Sequence, residues 1–230
     1  MKNRLFGFAF ALPILFCALP AEAGGGLAPL DRARTAVLIT DPQNDFLRED
    51  GKLYGLLADN LKALGTIDNL AALMRTAKEK KVLLAVDPLV FGKSDSDWTQ
   101  AGTLQRQLLD MQALRAGSAG ADFYAPYKPY IDDGKTVIAA PHKMYGPESN
   151  DLIYQLRSRG IDTVILGGMV ANLCVDSHMR TLMENGFKVY VVKDAVAAPG
   201  DAAYQAALVN YGMIASGVWT TAEALAALAR

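Results

Sequence analysis

Thr163-Val164-Ile165-Leu166-Gly167-Gly168-Met169-Val170-Ala171-Asn172-Leu173-Cys174-Val175-Asp176 decides the fold. Thr163 to Leu166 is a short β-branched and apolar run, the pattern of a buried strand. Val175, Met179 and Leu182 then recur at helical spacing, so a helix begins near Cys174. A strand thus passes through paired glycines into a turn, with a cysteine at the mouth of a helix. Free N–H groups and the helix dipole favour a thiolate there and offer donors to a developing oxyanion. A cysteine packed inertly under a helix would give the same local pattern.

Outward from this stretch, near-continuous apolar strands alternate with helices. Strands are expected at 36–41, 82–87, 136–140, 163–166, 187–192 and 213–218. Helices are expected at 61–80, 103–114, 151–159 and 202–211, with a last alanine-rich helix capped by Thr221. Such alternation implies an α/β fold, a three-layer α/β/α doubly wound sandwich on a parallel sheet covered on both faces.

Met1–Ala23 stands apart from this pattern. Lys2 and Arg4 precede an apolar run, and Ala21-Glu22-Ala23 is an A-x-A cleavage signal. The segment reads as a signal peptide, with 24–34 a flexible N-terminal segment and 35–230 the domain, exported to the periplasm or secreted. Cleavage would leave about 207 residues, enough for one domain with a proper core. It would also remove Cys17 and leave Cys174 without a disulfide partner, in a compartment that oxidises thiols. With 23 basic and 24 acidic residues interspersed, no cluster suggests nucleic acid or, after cleavage, membrane. A small-molecule substrate is the expected partner, and a homo-oligomer is left open.

In a doubly wound sheet, ligands bind beyond the carboxyl ends of the strands. Asp41, Asp87, Lys143 and Cys174 all stand at such exits, a nucleophile with an acid and a cation to serve it. Phe46, Trp98 and Tyr124 are candidate pocket walls, with Asp87 and Asn172 as candidate substrate contacts. His178, one turn into the helix after Cys174, reads as a packing residue.

Asp41-Pro42-Gln43-Asn44-Asp45-Phe46, Lys143, Gly168-Met169-Val170-Ala171-Asn172-Leu173-Cys174-Val175 and Gly186-Phe187-Lys188-Val189 to Lys193-Asp194-Ala195 come in order along the chain. This ordered set resembles the isochorismatase-like cysteine hydrolase superfamily. The resemblance implies a six-stranded parallel sheet of order 3-2-1-4-5-6 and an Asp41-Lys143-Cys174 triad. It also implies a cis Met169–Val170 peptide and an oxyanion hole from the Val170 and Cys174 N–H groups. The implied activity is hydrolysis of a small amide-type C–N bond through a thioester. Alternatives are an isochorismate-type vinyl-ether hydrolase and a catalytically silent binding protein of the same fold. The chain departs from the family's pattern at Ala171, where relatives often carry Thr, and at Asn172-Leu173. Nicotinamidases of this kind carry an Asp-x-His element after strand two that holds a metal. Here that exit reads Asp87-Pro88-Leu89, with no histidine between it and His142. No metal and no cofactor is therefore expected, because Asp87 alone, with His142 beside Lys143 and His178 inside a helix, does not supply the several N or S ligands a zinc site wants.

Overall fold

The computed structural model describes residues 30–230, so the expected signal peptide lies outside the described residues. Within the expected N-terminal segment 24–34, Arg32–Arg34 form a 3-10 turn capped by Asp31, and Arg34 Nε donates to Asp162 at 2.8 Å.

The chain then alternates through β1 (Thr35–Thr40), α1 (Asn44–Leu47), α2 (Tyr54–Leu64), α3 (Thr66–Glu79), β2 (Leu83–Asp87), α4 (Thr103–Asp110), α5 (Lys128–Ile131) and β3 (Val137–Ile138). It continues through α6 (Leu152–Arg157), β4 (Thr163–Met169), α7 (Asp176–Glu184), β5 (Lys188–Ala197), α8 (Asp201–Ile214), β6 (Gly217–Trp219) and α9 (Thr221–Ala229). The six strands form one parallel sheet in the order β3-β2-β1-β4-β5-β6, as the resemblance implies.

Because side chains alternate across a strand, each apolar run divides between two cores. Val37, Ile39, Leu84, Val86 and Ile165 face the layer of α2, α3 and α9. Ala36, Leu38, Ala85, Val164 and Leu166 face that of α6, α7 and α8. Every residue of β1 and β4 is buried, which explains why these two strands read as unbroken apolar runs.

Several boundaries differ from expectation. The helix expected over 61–80 is broken by Gly65, whose left-handed φ of 65° turns the chain between α2 and α3. Strand β5 runs on to Ala197, past the expected end at Lys193-Asp194. Asp194 Oδ1 is turned instead to the start of α9, accepting from the N–H and hydroxyl of Thr221 at 2.7 and 2.8 Å. Helix α8 extends to Ile214, so the sixth strand is shorter than the 213–218 run suggests.

Candidate active site

The central strands β2, β1 and β4 end level with one another, Thr40 pairing with both Asp87 and Gly168. The next residues out are therefore delivered to one place. Asp41 follows β1 at a left-handed φ of 52°, a conformation that Asp tolerates better than most residues. Its N–H is held by the Asp87 carbonyl at 2.9 Å, and its side chain is fully buried.

Cys174 arrives by a tighter route. The Met169–Val170 peptide is cis, as the resemblance implies, and Ala171–Val175 make a π-helical turn before α7 begins at Asp176. Gly168, at φ 123°, crosses so close to β1 that a Cβ would collide with the Thr40 backbone. Thr40 Oγ1 donates to the Met169 carbonyl at 3.0 Å, and Tyr211 Oη donates to the Ala171 carbonyl at 2.5 Å. Burial keeps the Tyr211 phenol well above its ordinary pKa, with Asp176 adding to this, so it stays a donor.

The third group at this point is His142, and here the sequence expectation needs correction. Leu89 and His142 pair across the exits of β2 and β3, and the His142 N–H donates to the Pro88 carbonyl at 3.0 Å. Successive side chains of extended backbone point to opposite faces. His142 therefore turns inward, fully buried, while Lys143 turns away. Lys143 Nζ binds Asp95 at 2.7 Å and the Val90 carbonyl at 3.1 Å. His142 Nε2 lies 2.8 Å from Asp41 Oδ1, and single ligating atoms of Asp41, His142 and Cys174 lie within 4.8 Å of one another. The histidine immediately before the expected lysine is the one that joins the aspartate and the thiol.

The electrostatics of the cluster are also unlike the expectation of a thiolate at a helix mouth. Burial pushes the Cys174 thiol well above its ordinary range, and the charge of Asp41 adds to this. The Val170 N–H acts in the opposite direction, and the charge of Asp87 raises the pKa further. The resting sulfur is thus a neutral thiol, 3.3 Å from the Met144 carbonyl that accepts from it. For His142, burial opposes the charged form. Asp41, by charge and hydrogen bond, with help from Asp87 and Glu148, still raises its pKa. Asp41 Oδ2 and His142 Nδ1 are buried without a hydrogen-bond partner.

Behind this cluster Asp87 does not contact open space. Its Oδ1 accepts from Asn150 Nδ2 at 2.6 Å, and its Oδ2 lies 2.8 Å from His178 Nε2. His178 Nδ1 donates to the Cys174 carbonyl at 2.7 Å. His178 is thus more than a packing residue, since it ties α7 to the end of β2. Asp87, His142 and His178 also bring ligating atoms within 4.8 Å of one another. They, like Asp41, His142 and Cys174, could hold a metal, which corrects the expectation of too few ligands for one.

A cavity of about 110 Å³ opens beside Cys174. Phe46, Leu53, Leu57, Leu89, Leu108 and Met144 form its walls, and Val170 and Cys174 its reactive end. Of the expected wall and contact residues, only Phe46 reaches it. Trp98 packs edge-on against Phe91 at 6.0 Å, Tyr124 against Tyr127 at 5.1 Å, and Asn172 Oδ1 is buried without a hydrogen-bond partner. The leucines of α2 and α4 were invisible as pocket residues because apolar helix positions signal burial, not what they are buried against.

Comparison with known proteins places this geometry in a family. The Isochorismatase domain model matches residues 35–223. Ureidoacrylate amidohydrolase RutB of Variovorax paradoxus (strain S110) is 26% identical over 193 residues, 78% of this chain and 75% of that protein. A cysteine hydrolase from Pseudomonas syringae pv. phaseolicola 1448A superposes with a TM-score of 0.73 at 23% identity, over 88% of this chain and 95% of its own. An isochorismatase family protein from Desulfovibrio vulgaris subsp. vulgaris str. Hildenborough superposes with a TM-score of 0.69 at 19% identity, over 86% and 99%. The chain belongs to the isochorismatase family.

Proposed function

We propose that this chain is a cysteine-dependent hydrolase of a small amide-type C–N bond, with Asp41, His142 and Cys174 as its reacting group. The observation that carries the reading is the convergence of a buried thiol, an unpartnered carboxylate oxygen and an imidazole at the mouth of a cavity. The amidohydrolase name of the Variovorax relative supports the bond class.

Asp41 Oδ2 takes the thiol proton as sulfur attacks the carbonyl carbon. His142 stands in for the expected lysine, donating from Nε2 to Oδ1 and keeping the other oxygen free for the proton. The Val170 and Cys174 N–H groups serve as the oxyanion hole. Asp41 passes the proton to the amine as the C–N bond breaks, leaving a thioester. Water then gives its proton to Asp41 while attacking the thioester, and that proton returns to sulfur as the acid leaves.

The decisive experiment is a screen of small amides, ureides and esters with the purified protein and with Cys174→Ala, with and without EDTA. Amide turnover that needs Cys174 and persists in EDTA is expected. Turnover of a vinyl ether alone, or turnover that survives Cys174→Ala, would refute the reading. Activity lost to EDTA and restored by zinc would assign a working metal to Asp87, His142 and His178.

A further inference from the structure

The cavity beside Cys174 tells which amides can enter. Its walls come from α1, α2 and α4, the loops after β2 and β3, and Pro199. Apart from the Cys174 thiol itself, the Tyr145 hydroxyl is the only side-chain polar group among the residues lining it. The cations adjacent in sequence to the lining residues Leu53 and Met144 are committed elsewhere. Lys52 Nζ donates to the Met111 and Gln112 carbonyls at 2.9 and 2.8 Å, and Lys143 is bound to Asp95. His142, the one cationic group of the reacting cluster, is fully buried and turned to Asp41.

A carboxylate carried into such a cavity would lose its water and gain no partner, which is strongly unfavourable. An alkyl chain would gain by leaving water. The volume of about 110 Å³ is somewhat smaller than the roughly 150 Å³ apolar cavity that accepts benzene. The cavity is open at Leu56, which is 60% exposed, so a short chain can enter there.

Resting on the amide-hydrolase reading above, we propose that the substrate is a neutral amide whose acyl group is a short apolar chain of about four to six carbons. The acyl chain lies along the leucine walls, the carbonyl meets Cys174 and the Val170 N–H, and no carboxylate is carried on that chain. Specificity is then set by α2 and α4, elements that contribute nothing to the reacting group.

Hexanamide and adipamate, which has the same chain ending in a carboxylate, separate the possibilities. Both are to be measured as substrates, and as protectants of Cys174 against iodoacetamide at alkaline pH. Hexanamide should exceed adipamate by at least about a hundredfold in kcat/KM, the upper range of what an apolar pocket discriminates, and should alone protect the thiol. Leu104→Lys, at a half-buried position of the wall, should lower kcat/KM for hexanamide and raise it for adipamate. Equal or better turnover of adipamate, equal protection by both, or protection by neither would overturn the proposal. Protection by hexanamide without turnover of any amide would instead uphold the apolar site and refute the hydrolase reading.

Discussion

His142 and Lys143 are chain neighbours with opposite fates, and variants at the two positions separate their roles. His142→Ala should lower kcat/KM at least about a hundredfold, the scale on which loss of one preorganised donor in an active site is felt. His142→Lys should recover part of that loss, because a cation returns beside Asp41. Lys143→Ala, which breaks a partly exposed pair with Asp95, should leave turnover within a fewfold of the parent. Steady-state kinetics on one confirmed substrate decide all three. The thiol offers a second test. Since burial and Asp41 raise its pKa, iodoacetamide should alkylate Cys174 slowly until the pH passes the ordinary thiol range near 8.5. Asp41→Asn should move the alkylation profile to lower pH while abolishing turnover. A helix-mouth thiolate, as sequence position alone suggests, would instead react fast at neutral pH and be little changed by Asp41→Asn.

Among the elements, β4 carries the tightest constraint. Gly168 combines a φ of 123° with a path against the Thr40 backbone, so an added methyl has neither conformational room nor space. Gly168→Ala should cost about 3 kcal/mol of stability, the upper end for a strained backbone position, and displace the turn that bears Cys174. Urea unfolding reads the first effect and turnover under folding conditions the second. Thr220→Ala removes the box that caps α9, where Thr220 and Glu223 bind each other's backbone. It should cost about 1 kcal/mol and leave kcat unchanged. The pair of variants distinguishes loss of the site's scaffold from loss of stability in general.

For the whole molecule, the buried His142–Asp41 pair links stability to pH. The pKa of His142 is raised in the folded chain, so the native state holds its proton more tightly than the unfolded chain does. That contribution is complete below the unfolded value near 6.5 and is lost as pH rises through the higher folded value. Thermal unfolding across this range should show Tm falling with rising pH, and His142→Gln should flatten the slope. The expectation of export rests on Met1–Ala23. If it is an export signal, material recovered from outside the cytoplasm should begin near Gly24. An intact mass that retains Met1–Ala23 would mean an uncleaved anchor.

The sequence by itself determined the layered α/β architecture, because runs such as Ala36–Ile39 and Val164–Leu166 are apolar on both faces and only a sheet covered on both sides accommodates that. It also located Asp41 and Cys174, since each stands where an apolar run stops and a ligand-facing exit begins. The third member of the cluster was decided by tertiary structure. One residue's difference in register reverses the face of extended backbone, and the pairing of His142 with Leu89 cannot be read from a stretch that offers both a histidine and a lysine. The thiol's protonation state was decided in the same way. A helix mouth is local and favours the anion, whereas burial and the nearby carboxylates depend on how β1, β2 and β4 end together. The apolar cavity belongs wholly to the tertiary level, because which leucines face a nucleophile depends on packing between helices far apart in the chain.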